Sequence, residues 1–154
     1  MASSITGGAG CRPGKRWRRL VRRADSTLSR VTFTDCTMLG SAWEQITIDD
    51  VVFERCRMDY AAFIRLRAAG SVIFAGCSLR EARFGGCDLS DAAFEECNLY
   101  LTEFDGGTYR GCDLRGNDLS GLRGVGALKK VIVDRSQLPG LAQALAADLE
   151  ISVD

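Results

Sequence analysis

The side chains able to do chemistry here are seven cysteines and twenty carboxylates, with no histidine. No CxxC pair exists and no imidazole is available, so neither a zinc site nor any other metal or cofactor is expected. Nucleophilic catalysis that relies on histidine is excluded outright. The odd cysteine count argues against a fully paired disulfide framework. Four of the cysteines, Cys36, Cys56, Cys77 and Cys97, lie 20, 21 and 20 residues apart. They read either as a reactive or metal-binding ladder or as small core residues, and the choice depends on the element that carries them. Glu95 and Glu96 are adjacent carboxylates, but acid–base chemistry needs groups converging in a concave site.

The element follows from a period of five. Phe84, Leu89, Phe94, Leu99 and Phe104 are evenly spaced, which suits neither a helix nor a flat strand. The series extends upstream through Leu28, Phe33, Met38, Trp43, Ile48, Phe53, Met58 and Phe63, and downstream to Leu119. The two halves are out of phase by one residue, so one extra residue lies within 64–73. Two residues before each large one stands a small one, as at Cys36, Cys56, Ala61, Cys77, Ala82, Cys87, Ala92, Cys97 and Cys112. Two inward positions at period two, followed by a turn, make a short strand and a corner. Four such units close a coil. The large residues then stack as Phe33, Phe53, Phe74, Phe94 and Leu114 on one side and as Met38, Met58, Leu79, Leu99 and Leu119 on the next. Trp43, Phe63, Phe84 and Phe104 form a third ladder, and Leu28, Ile48, Leu89 and Tyr109 a fourth, with a gap after Ile48. Stacked coils bury one continuous core. In this frame the cysteines point inward and are inert, and Glu95 and Glu96 point outward with no pocket around them, so no enzyme activity is expected.

The units CDLSD (87–91), CNLYL (97–101), CDLRG (112–116) and NDLSG (117–121) resemble the pentapeptide-repeat family, whose consensus is A(D/N)LXX. The resemblance covers about 26–121. It implies an all-β solenoid, a right-handed quadrilateral β-helix of about 4.5 coils at ~4.8 Å per coil. EQITI (44–48) and the stretch 64–73 depart from the consensus.

Three segments are expected: 1–24, the repeat body 25–122, and a C-terminal cap 123–154. Residues 131–133 (VIV) suit the closing of a last coil. A helix over about 137–149 follows, with Ser136 as its N-cap and Pro139 in its first turn. Its stripe Leu138, Leu141, Leu145 and Leu149 either caps a monomer or also pairs two copies into a homodimer, as the resemblance to gyrase-inhibiting members implies. ISVD at 151–154 suits a short strand. Residues 1–24 carry seven cations and no acid. Their readings stay open: a disordered tail, an N-terminal cap, a transit-like or misassigned start, or a nucleic-acid-binding tail.

The overall charge of zero hides this asymmetry, because 25–122 holds sixteen acids against nine arginines. Asp49, Asp50, Glu54, Asp91, Glu95 and Glu96 are expected along one edge of the rod as a partner-binding surface. The irregular stretch 64–73 carries Arg65 and Arg67, either in a plain one-residue bulge or in a protruding contact loop. The reading is a cytoplasmic protein–protein interaction scaffold with no membrane span and no direct nucleic-acid binding by the solenoid. The alternative, carried by the family resemblance, is a DNA-mimicking inhibitor or protector of a type II topoisomerase such as gyrase or topoisomerase IV.

Overall fold

The computed structural model describes residues 26–154 and, before them, the backbone of two short strands, β1 (Ser4–Thr6) and β2 (Ala9–Gly10). The chain is a parallel β-solenoid with four faces and a single α-helix, α1 (Leu138–Asp148), among the described residues. The two long strands β3 (Ser26–Thr34) and β5 (Ile46–Glu54) each run over a first and a second face, bending at Arg30 and Asp50, whose φ is 55° in both. The second face continues through β8 (Val72–Ala75) and β10 (Ala93–Glu95). A fourth face stacks β4 (Ala42–Glu44), β6 (Ala62–Ile64), β9 (Arg83–Gly85) and β11 (Glu103–Asp105). The third face is a row of single bridges, Thr37 to Arg57 to Ser78 to Asn98. Of the expected N-terminal segment, β1 and β2 pair in parallel with β3, and the rest lies outside the described residues.

Most corners hold a left-handed residue, and many of these are not glycine. Asp35, Arg55, Gly76, Glu96 and Gly116 follow one another down one corner with φ of 53°, 52°, 62°, 49° and 80°. A left-handed backbone costs an L-residue roughly 1–2 kcal/mol. The cost is offset because the buried residues on either side leave the chain no other path. The Asp or Asn of the repeat closes the turn. Asp88, Asn98, Asp113 and Asp118 accept the backbone N–H two residues on at 3.2, 3.1, 3.0 and 2.9 Å.

The interior is two columns of rings. Phe33, Phe53, Phe74 and Phe94 stack with centroids 5.1, 4.8 and 4.8 Å apart and planes within 9°. Trp43, Phe63, Phe84 and Phe104 form the second column, and the two meet edge to face. The small slot also carries hydrogen bonds. The thiols of Cys56, Cys77 and Cys97 donate to the carbonyls of Phe33, Phe53 and Phe74 at 3.3, 3.1 and 3.1 Å. These three, with Cys87 and Cys112, are free and buried, which agrees with an inert role. Burial pushes Cys87 up to about 11 and Cys112 up to about 12, so both stay protonated at neutral pH. Cys36, expected as one more core thiol, is disulfide-bonded.

The extra residue is located by register. Ile48 pairs with Ala68 of the short strand β7 (Arg67–Ala68), whereas Val51 pairs with Val72, so Ala69, Gly70 and Ser71 stand opposite Asp49 and Asp50 alone. Ala68 fills the expected gap in the fourth ladder. Leu66, fully buried two residues earlier, is the large one of this pair, in the slot that holds Ser26, Ile46 and Cys87 in other coils. Large and small exchange places and the filled volume is kept.

The C-terminal end departs from expectation in three ways. Ser136 is not the helix N-cap: Arg135–Gln137 form a 3-10 turn, and the Asp134 N–H donates to Gln137 Oε1 at 2.6 Å. Residues 151–154 form no strand and are exposed; the Ile151 N–H donates to the Ala146 carbonyl at 2.8 Å, which turns the chain back on α1. Leu141 packs against the core, but Leu138, Leu145 and Leu149 are 50%, 41% and 62% exposed, and the buried helix residue is Ala144. A small residue lets the helix approach closely, which leaves the flanking leucines outside the contact. The VIV stretch does continue the last coil, with Ile132 bridged to Asp113.

Candidate interaction surface

The second face and the corners that bound it carry the six acids singled out from the sequence. Its outward row is Thr32, Val52, Ile73, Ala93, Asp113 and Ile132, each in register with the next. Val52, Ile73 and Ala93 are partly exposed. The corner before this row holds Asp49, Asp50 and Asp91; the other side of the row holds Glu54, Glu95 and Glu96. The six acids therefore form two columns on either side of an apolar row, not a single edge. The third coil interrupts both columns with Gly70 and Ser71 on one side and Ala75 and Gly76 on the other. Gly70 and Gly111 lie beneath Asp49 and Asp91, where a Cβ would collide with the carboxylate above.

Neutralisation is uneven. Arg55 bonds Glu54 at 2.7 Å and Asp35 at 3.0 Å, and these carboxylates raise its pKa. Arg115 bonds Asp113 at 2.7 Å and holds that carboxyl below its ordinary range. Asp49, Asp50, Asp91, Glu95 and Glu96 have no ion pair among the described residues. Glu95 and Glu96 line an open dent with Ala75, Gly76, Arg115 and Gly116.

Arg65 and Arg67 do not sit on a protruding loop. They flank the buried Leu66 in a regular coil, and Arg67 pairs with Thr47 above and Asp88 below. Both are exposed. Among the described residues no group of three or more His, Cys, Asp or Glu is placed to hold a metal, and no helix is long and apolar enough to cross a membrane.

The family model for pentapeptide repeats matches residues 73–108, in 8 copies. Residues 73–108 are thus a run of pentapeptide repeats. The matched residues include Ile73 and Ala93 of the row, Asp91 on one side of it, and Glu95 and Glu96 on the other. No curated protein matches the chain. Among solved structures, a trypsin-treated form of QnrB1, described as a plasmid-mediated fluoroquinolone resistance protein, is 16% identical with a TM-score of 0.26, covering 100% of each chain. Full-length QnrB1 is 14% identical with a TM-score of 0.26, covering 94% of this chain and 98% of that one. Superpositions this loose bear on neither fold nor function.

The Tyr, Arg and Leu side chains of the third face escaped sequence reasoning. Leu39, Tyr60 and Tyr100 are exposed, and the Arg80 guanidinium stands 5.6 Å from the Tyr100 ring centre. The signal was present as large residues at outward positions of the five-residue unit.

Proposed function

We propose that this chain is a non-catalytic interaction scaffold that docks a cationic protein surface on its second face. The observation that carries this is the set of five carboxylates without ion pairs on either side of that face. Unpaired surface acids cost little in water and steer a cationic partner at long range. A pull-down from cell extract with Glu95→Lys/Glu96→Lys beside the parent tests it. Loss of salt-sensitive partners in the variant is expected, and an unchanged set of bound proteins would overturn the reading.

A second reading is a DNA mimic acting on a type II topoisomerase. Asp50 and Glu54 are four residues apart along a strand, so the two columns stand about 13 Å apart at ~3.3 Å per residue. That is close to the roughly 12 Å width of the DNA major groove. Salt-sensitive inhibition of gyrase supercoiling by the purified protein is the expected result on this reading; no inhibition at high protein concentration would remove it.

The exposed Leu138, Leu145 and Leu149, with Ile151 and Val153 beyond them, support a homodimer through α1. Light scattering on the parent and on Leu145→Glu/Leu149→Glu checks this. A monomer for both would dismiss it.

A further inference from the structure

We propose that the second face docks a basic amphipathic α-helix lying along the rod axis, with cations on both flanks seven residues apart. This rests on the reading above that the face takes a cationic partner, and it adds the partner's shape.

The argument is one of spacing. Val52, Ile73 and Ala93 present one partly exposed apolar side chain per coil. The rise per coil is read from the rings directly behind them, at 4.8 Å for Phe53–Phe74 and 4.8 Å for Phe74–Phe94. A helix along the axis offers one apolar residue per turn at a pitch of about 5.4 Å, so over two coils the mismatch is only about 1 Å. An extended segment offers same-side residues about 6.8 Å apart and drifts by about 4 Å over the same distance. Width agrees as well. The columns stand about 13 Å apart, and a helix with its side chains is about 10–12 Å across.

Charge fixes the period along the helix. Asp50 and Glu54 flank Val52, Glu54 shared with Arg55 at 2.7 Å, and Asp91 and Glu95 flank Ala93, two coils further on. The coil between them has Ser71, Ile73 and Ala75 at the corresponding positions and no acid. Two coils are about 9.6 Å, and residues i and i+7 of a helix are about 10.5 Å apart. The small side chains at Ala75, Gly76 and Ala93 leave room for the helix to lie close. A surface that only imitated phosphates would have no use for an apolar row between its charges.

The test uses a fluorescently labelled Leu/Lys peptide patterned at helical period and a second of identical composition patterned at period two. Anisotropy is read at low and high salt against the parent, Ile73→Asp, Glu54→Gln/Glu95→Gln, and Glu103→Gln on the fourth face as control. The expected result is salt-sensitive binding of the helical peptide, with the period-two peptide weaker by about tenfold or more. Ile73→Asp and the double Gln variant should each lose about tenfold, and Glu103→Gln nothing. Equal binding of both peptides would overturn the helix and leave the cationic reading standing. No binding of either would overturn both. Tighter or unchanged binding by Ile73→Asp, with its melting temperature preserved, would overturn the apolar row; Val52→Ser repeats that arm should Ile73→Asp fail to fold.

Discussion

The stretch from Phe33 to Phe104 and the stretch from Asn117 to Asp148 close the same cross-section in different ways. In the first, each coil is covered by a copy of itself: a ring stacks on a ring, and a small-slot thiol bonds the carbonyl one coil back. In the second there is no further copy, and polar side chains replace it. The cysteine column continues at the same interval as Asn117 and then Gln137. Asn117 donates to the Phe94 carbonyl at 2.8 Å and accepts the Cys97 N–H at 2.8 Å. Gln137 donates to the carbonyls of Leu114 and Asn117 at 2.7 and 2.8 Å. Asp148 accepts the N–H groups of Gly124 and Val125 at 3.2 and 2.8 Å, which ties the far end of α1 to the last coil. Translation suffices where neighbours are alike. A terminus must supply, from side chains, the hydrogen bonds that the next coil would have given.

The largest effect separating the two regions is a charge in the ring stack. Phe94→Asp should abolish cooperative unfolding by circular dichroism, since it places an unpaired carboxylate between Phe74 and Leu114 and removes a fully buried ring. If Phe94→Asp still melts cooperatively, the stack is not the core of the cooperative unit.

Gln137→Ala should cost about 1–3 kcal/mol by denaturant unfolding, because the buried Asn117 carbonyl loses its donor and the Leu114 carbonyl keeps only the Asn117 side-chain amide. Hydrogen exchange should speed up at the Leu114 and Ile132 amides and stay unchanged at Phe63 and Phe74. Uniform acceleration would mean that the end and the middle open together.

Alkaline pH probes the thiol slot of the repeating coils. Cys87 and Cys112 are raised by burial from 9.0 to about 11 and about 12. The folded state therefore holds these protons longer than the unfolded chain does. Their contribution is fully present below pH 9 and is lost as pH rises toward 11–12. Stability of the parent should fall across that window, and Cys87→Ala/Cys112→Ala should flatten the fall. An equally steep fall in the variant would assign it to other groups.

The smallest effect is expected at the surface. Glu95→Ala should shift stability by less than about 0.5 kcal/mol, since its side chain is exposed and unpaired. A shift approaching that of Phe94→Asp would contradict the assignment of inward and outward positions.

The four-sided solenoid was legible because its signal is local: each five-residue unit carries its own inward pair, such as Cys97 and Leu99, and its own turn. The extra residue was confined to ten positions for the same reason. Its seat at residues 69–71 was not legible, because the Leu66 and Ala68 exchange hides the phase of that unit. The six candidate acids were recognised as outward, but their sorting into two columns on either side of Val52, Ile73 and Ala93 depends on register summed across the coils.

By itself, the sequence determined the period, the ladder partners, the inert placement of Cys56, Cys77 and Cys97, and the absence of histidine chemistry, all of which depend on residue type and spacing alone. Only the tertiary structure decided that Gln137 ends the cysteine column, that Ala144 rather than Leu145 or Leu149 meets the core, and that an apolar row lies between the acids. These are through-space relations between residues about twenty or more positions apart along the chain. They are set by how closely a helix or a neighbouring coil can approach, which no stretch of five residues encodes.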